Sequence, residues 1–206
     1  MSTWAILLAA GSGRRFGGSK QHYELAGKPL WRWSYDMLDA AGLEGIVVVA
    51  SDIEGAVLGG SRRQDSVAAG LGAVPQSARY ILVHDAARPG ASADLVHRVL
   101  ERLQRGDVDG VVPALRVTDT IKQTDGDRIV TTLDRDLLVS VQTPQGFAAD
   151  ALRACHAVRD DQSIDTDDAS MLEARGYRVA MVEGEVRNFK VTFPEDLSRM
   201  EAALAS

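Results

Sequence analysis

Leu7-Leu8-Ala9-Ala10-Gly11-Ser12-Gly13-Arg14-Arg15-Phe16, with Lys20 just beyond it, is the stretch on which the fold reading turns. The preceding Ala5-Ile6-Leu7-Leu8 run has no polar alternation, so it reads as a parallel strand buried on both faces. The small-residue turn that follows lets backbone N–H groups approach a ligand closely. Arg14, Arg15 and Lys20 then set cations beside that turn, a combination that suits a polyphosphate. The same residues also read as a plain strand-to-helix turn with solvated arginines. Three cations within positions 14–20 weight the reading toward phosphate.

Two better-known glycine motifs fail on specific residues. A dinucleotide fingerprint needs a third glycine, where this chain carries Phe16. A phosphate-binding Walker loop needs Gly-Lys-Ser/Thr, whereas here Ser19 precedes Lys20 and no hydroxyl follows it.

The remaining chain alternates apolar runs with helical stretches. Strands are expected at 46–50, 80–84, 110–114, 139–142 and 178–182, and helices at 29–41, 64–74, 92–105, 148–159 and 165–175. This alternation predicts an α/β layered, mostly parallel sheet flanked by helices. Thr192-Phe193-Pro194-Glu195 reads as a capping box opening a last helix. The pattern breaks over 117–133, where two polar β-runs flank Asp125-Gly126-Asp127, a hairpin signal. A lone hairpin is marginal in water, so this arm must lie on something: a second subunit or its own domain.

The bulk properties bound the function. The 206 residues predict a single domain, 1–206, with the hairpin as an appendage. A net charge of −6 argues against a general nucleic-acid binder and makes the local cations more telling. Cys155 is the sole cysteine, so an internal disulfide and a Cys-based zinc site are excluded. No secretory signal pattern is read, and no apolar run approaches the ~20 residues that cross a bilayer. A cytoplasmic protein without membrane contact is expected.

In open parallel sheets, ligands sit beyond the carboxyl ends of the strands. Inspection there adds Asp85-Ala86-Ala87-Arg88-Pro89, where Asp85 suits a sugar hydroxyl or a place near a metal, and Arg88 suits a phosphate. It also adds Gly59-Gly60-Ser61-Arg62-Arg63-Gln64-Asp65-Ser66, which suits a base read by backbone and hydroxyl groups. Asp65 or Ser66 capping a helix explains the second stretch equally well. Arg135 and Lys190 each place one cation beside polar groups, a pattern that surface charges also show. No nucleophilic triad and no metal-ligand spacing stands out. A phosphate monoester has a second pKa of about 6 and needs no general base at neutral pH. An Arg/Lys-rich, His-poor site therefore suits nucleotidyl transfer, which rests on positioning and electrostatics.

Together these motifs resemble a known family. Leu8-Ala9-Ala10-Gly11-Ser12-Gly13-Arg14-Arg15, Lys20-Gln21, Gly60-x-x-Arg63-Gln64-Asp65-Ser66-Val67, Val83-His84-Asp85-Ala86-Ala87-Arg88-Pro89, Thr143-Pro144-Gln145 and Asn188-x-Lys190-Val191-Thr192 occur in this order. They are similar to the 2-C-methyl-D-erythritol 4-phosphate cytidylyltransferases across nearly the whole chain. The resemblance implies a Rossmann-like nucleotidyltransferase fold and a homodimer joined through the 117–133 arm. It implies CTP and methylerythritol phosphate as substrates, with Mg²⁺. Arg15 and Lys20 would stabilise the transition state, and Arg135 and Lys190 would position the acceptor phosphate. Ala9, Ala10, Gly11, Gly13, Gly60 and Ser66 would hold CTP. Asp85, Arg88 and Thr120 would line the acceptor pocket, with Thr166 reaching in from the partner subunit. Two departures stand out: Ser51–Leu58 is short where similar enzymes carry another helix and strand, and Ser61 stands where some relatives place an acid. A ribitol-5-phosphate cytidylyltransferase is the alternative reading. A dinucleotide-dependent oxidoreductase and a non-catalytic nucleotide binder are the rivals from other classes.

Overall fold

The computed structural model describes residues 2–11, 16–18, 20–158 and 167–205. Its central sheet runs β11 (Val179–Glu183), β6 (Gly110–Arg116), β10 (Gln145–Ala148), β5 (Tyr80–Asp85), β1 (Thr3–Leu8), β4 (Gly45–Val49), with the short β9 (Val139–Val141) paired to β6. β1, β4 and β5 are mutually parallel and β6 is parallel to β11. β10 is antiparallel to both of its neighbours, so the other five strands of the path run one way. The expected α/β architecture with a mostly parallel sheet is thus observed.

Burial explains the strand patterns. All six residues of β5 are buried, as suits the middle of a covered sheet: an apolar Tyr80–Val83 run closed by His84 and Asp85. One face carries α2 (Arg63–Ala73), α4 (Ala149–Ala157) and α5 (Asp168–Glu173) over Ile6, Val49, Val83 and Phe147. The opposite face carries α1 (Leu30–Ala40) and α3 (Ala93–Leu103), whose Leu38, Leu95 and Val99 share a core with Leu7 and Leu82. Each fully buried large side chain contributes about 1.5–3 kcal/mol. Cys155 is buried in the first of these cores, a small apolar filler. A third, smaller cluster seats α6 (Asp196–Leu204) through Leu197 and Met200 on Leu25, Leu30 and Val191. Leu25 and Leu30 flank a tiny ribbon of β2 (Glu24–Leu25) and β3 (Lys28–Pro29).

Two local readings change, and the short 51–58 stretch is seen in the fold. The Thr192–Glu195 capping box is not formed: the Asp196 carboxylate accepts from the Thr192 and Phe193 N–H groups at 2.7 and 2.8 Å, and the helix begins there. The Gln145–Ala148 strand was not expected, because a glycine and a glutamine mask it; its place comes from filling the gap between β5 and β6. The 51–58 stretch contains no helix and returns as one parallel bridge, Val57 to Val49, so β4 is the outer full strand.

The arm is β7 (Lys122–Asp125) and β8 (Arg128–Thr132), a separate two-stranded ribbon whose nine residues are all exposed. It does not lie on its own domain. Ile129 is 60% and Val130 52% exposed, and Leu137 beyond the arm is 82% exposed.

Candidate active site

The register of the central strands builds the site. Leu8 of β1 stands beside both Val49 of β4 and Asp85 of β5, so the turns leaving β1 and β5 emerge side by side. Between them opens a cleft of about 480 Å³, lined by Ala9, Ala10, Gly11, Lys20, Gly60, Arg63, Ser66, Asp85 and Lys190 among others. It lies beyond the carboxyl ends of β1 and β5, as expected for a sheet of this kind.

The wall that precedes α2 needs its glycines. A side chain at Gly59 would collide with the Ala10 methyl, and one at Gly60 with Asp65. Asp65 accepts from the Arg62 N–H at 3.1 Å, and Ser66 Oγ accepts from the Gly60 N–H at 3.1 Å. Asp65 therefore does the capping that the sequence left open, and Ser66 fixes the loop, on the wall of the cleft itself.

Lys20 and Lys190 enter from the other side. Lys20 Nζ donates to the Val191 carbonyl at 2.8 Å, and Lys190 Nζ to Asp85 Oδ2 at 2.6 Å. The segment that carries Lys190 is held by buried neighbours. Asn188 Nδ2 donates to the Thr143 carbonyl at 2.8 Å, and the Val191 N–H to the Ala87 carbonyl at 2.8 Å. Gln21, also buried, donates to Asp52 at 3.2 Å and anchors the 20–22 turn.

Asp85 is the charge centre of the cleft. Burial works against its carboxylate, but Arg63, Lys190 and Arg88 outweigh that and hold it well below the usual carboxylate range. Its backbone is fixed too: the Asp85 N–H donates to Thr143 Oγ1 at 3.0 Å, and that hydroxyl lies 2.9 Å from His84 Nδ1. Burial lowers the His84 pKa to about 4, so the ring is neutral at physiological pH.

The remaining expected residues sit elsewhere. The Arg88 guanidinium donates to the carbonyls of Asn188 (2.8 Å) and Val141 (3.3 Å) and does not line this cleft. Thr120 and Arg135 flank the exposed arm, where Arg135 Nη1 donates to the Thr118 carbonyl at 2.8 Å. Gly13, Arg15 and Thr166 lie outside the described residues. Sequence reasoning missed the Arg63–Asp168 ion pair (2.6 Å) and the His156–Asp168 pair (3.0 Å) behind the cleft. Nothing in local spacing signals a contact between residues 105 positions apart.

A cleft with glycine walls, two lysines and one clamped carboxylate has the chemistry to hold phosphates. Known proteins resemble this chain. The family model for IspD, 2-C-methyl-D-erythritol 4-phosphate cytidylyltransferase, matches residues 3–206. The chain belongs to this family.

Members of this cytidylyltransferase family resemble it throughout. The bifunctional enzyme IspD/IspF of Nitratidesulfovibrio vulgaris is 46% identical over 231 residues, covering 98% of this chain and 58% of that one. The chain therefore spans little more than half the length of such relatives. The 2-C-methyl-D-erythritol 4-phosphate cytidylyltransferase of Prochlorococcus marinus is 38% identical, with 97% of each chain covered. The crystal structure of the Thermus thermophilus 2-C-methyl-D-erythritol 4-phosphate cytidylyltransferase superposes with a TM-score of 0.84 at 35% identity, covering 98% of each chain.

Proposed function

We propose that this chain transfers CMP from CTP to 2-C-methyl-D-erythritol 4-phosphate, releasing pyrophosphate. The observation that carries the reading is the convergence of Lys20 and Lys190 on a glycine-walled cleft at the strand ends, in a member of this family. The family match favours methylerythritol phosphate over the ribitol phosphate alternative.

In this mechanism the acceptor phosphate attacks the α-phosphorus of CTP in line. One P–O bond forms to the acceptor oxygen, and the bond to the β-phosphate oxygen breaks. The nucleophile is already dianionic near neutral pH, so no side chain removes a proton from it. The protein's work is to bring two anions together and cancel their repulsion. Ala9, Ala10, Gly11, Gly13, Gly60 and Ser66 hold the cytidine triphosphate. Lys20 and Arg15 stabilise the charge on the pentacoordinate phosphorus. Lys190 and Arg135 seat the acceptor phosphate, while Asp85, Arg88, Thr120 and Thr166 surround its alcohol.

Mg²⁺ fits this site as a companion of the nucleotide. Asp85 is the one carboxylate on the described cleft wall, and two cations already hold it. Among the described residues no group of three or more His, Cys, Asp or Glu side chains forms a metal cage. Mg²⁺ commonly keeps several waters and binds through substrate phosphates. The ion would add positive charge to the triphosphate, and no residue here is assigned to it.

The functional unit is proposed to be a homodimer. The exposed arm and its apolar Ile129 and Val130 need a partner surface. Exchange of arms would bring Thr120 and Arg135, which do not line the cleft of their own chain, to the cleft of the other. Both proposed substrates are small water-soluble phosphates, so the enzyme is proposed to act in the cytoplasm, with no membrane or nucleic-acid partner. Among the described residues no helix is long and apolar enough to cross a membrane.

The test is pyrophosphate release with Mg²⁺, each of the four nucleoside triphosphates, and methylerythritol phosphate or ribitol 5-phosphate. Release with CTP and methylerythritol phosphate alone is expected. Release only with ribitol phosphate would change the acceptor, and no release with any pair would overturn the reading.

A further inference from the structure

Arg63 has no task in the mechanism above, yet its placement is costly. It opens α2 directly after the Gly59–Arg62 loop, and its side chain is one-quarter exposed. Its guanidinium reaches in two directions. Nη1 donates to Asp168 Oδ2 at 2.6 Å, and Nε approaches Asp85 Oδ1 at 3.5 Å. Behind it, the other oxygen of Asp168 meets His156 Nε2 at 3.0 Å. Asp168 is fully buried and His156 nearly so. Burying a carboxylate against an arginine is weak evidence for stability, because desolvation offsets most of the attraction. An ion pair added only to pin α2 to α5 could be replaced by apolar side chains at little loss. The contact that such a pin does not need is the one to Asp85.

Asp85 is held on both oxygens, by Arg63 at Oδ1 and by Lys190 at Oδ2. Lys190 must give part of its hold to the acceptor phosphate if it is to seat that group. Were Lys190 the sole partner, its departure would strand a buried carboxylate, and the lysine would stay locked to it. A second cation on the opposite oxygen removes that obstacle. Asp168, backed by His156, keeps the guanidinium in place from behind.

We propose that Arg63 is a positioning residue of the transfer reaction. It keeps Asp85 partnered, so that Lys190 is free to turn to the acceptor phosphate, and the buried Asp168–His156 pair anchors it. The inference rests on the functional reading above.

The experiment compares wild type with Arg63→Met, Arg63→Lys, Asp168→Asn and the Arg63→Met/Asp168→Asn double variant. The double variant removes both charges, so folding does not depend on a stranded carboxylate. Melting curves select the folded variants. Calorimetry then gives CTP affinity, and acceptor affinity in the presence of a non-hydrolysable CTP analogue. Steady-state transfer gives kcat and KM for each substrate. Arg63→Met and the double variant are expected to weaken acceptor binding and lower kcat, each at least about tenfold, with CTP affinity changed by less than about threefold. Arg63→Lys is expected to rescue part of the loss, since a lysine supplies the charge without the guanidinium fork. Asp168→Asn is expected to move the same two quantities less.

Wild-type acceptor affinity and kcat in a folded Arg63→Met or double variant would overturn the proposal and leave Arg63 a structural pin. Loss of CTP affinity with acceptor affinity unchanged would also overturn it, assigning Arg63 to the nucleotide loop. The calorimetric comparison needs no turnover. A wild type that binds both ligands without transferring CMP contradicts the functional reading, while the variant's acceptor affinity still decides this one.

Discussion

Lys190 Nζ lies 2.6 Å from Asp85 Oδ2, joining two residues 105 positions apart across the mouth of the cleft. Lys190 is the more exposed partner, and Asp85 is close to buried. The lysine is thus held ready at the strand ends, near where an acceptor phosphate would sit, while the buried backbone at Asn188 and Val191 fixes its base. Replacing Lys190 with Ala should lower turnover by about 10²–10³, the usual loss for one electrostatic contact to a developing charge. CTP affinity, read by calorimetry, should be largely preserved. A parallel loss of CTP affinity would contradict the acceptor-seating role.

The Gly59 position makes a complementary prediction on the nucleotide side. A methyl group there meets the Ala10 methyl, so Gly59→Ala must push apart two walls that CTP is proposed to occupy. Overpacking of this kind costs roughly 1–3 kcal/mol. The expected result is a CTP affinity lowered about tenfold or more, by the usual conversion of free energy to affinity, with acceptor affinity unchanged once the nucleotide site is saturated.

Acid stability should carry the mark of His84. Its pKa falls from 6.5 to about 4 in the fold because the ring is buried. The unfolded chain therefore takes up a proton between these values and the folded chain does not. Stability from this group is complete above pH 6.5 and is lost as the pH falls toward 4, by roughly 3 kcal/mol in all. Asp85 and Asp168, both held below the carboxylate range despite burial, add their losses at still lower pH. Denaturant titrations at several pH values should show the His84 step, and His84→Gln should flatten it. An unchanged slope in that variant would assign the acid sensitivity elsewhere.

The arm predicts an oligomeric state. Ile129→Glu together with Val130→Glu places charge on the exposed ribbon without touching the domain core. Light scattering should show wild-type dimers and variant monomers, and the monomers should lose activity because Thr120 and Arg135 no longer reach a partner's cleft. Monomeric wild type with full activity would contradict the arm exchange.

Much of this was legible in the chain because the signals are local. β1, β4 and β5 announce themselves as unbroken apolar runs, and the small-residue turns after β1 and β5 follow directly. Ala9, Ala10, Gly11, Lys20, Gly60, Ser66, Asp85 and Lys190 duly line one cleft. What stayed hidden depends on contacts made at long range. β10 is a strand because β5 and β6 leave it a slot, not because Gln145-Gly146-Phe147-Ala148 favours one. The last helix takes Asp196 as its start because that carboxylate reaches two N–H groups at once, where Thr192 turns its hydroxyl to the Lys190 carbonyl instead. Arg63 lies far along the chain from Asp168 and His156, and only the packing of α2, α4 and α5 brings them together.

The most direct test of the central claim follows oxygen. Methylerythritol phosphate labelled with ¹⁸O in its phosphate would be incubated with CTP, Mg²⁺ and the enzyme, and the products weighed by mass spectrometry. Attack by the acceptor phosphate on the α-phosphorus predicts a cytidine diphosphate alcohol that retains all of the label and a pyrophosphate that carries none. Label in the pyrophosphate, or a nucleotide product without it, would contradict the account.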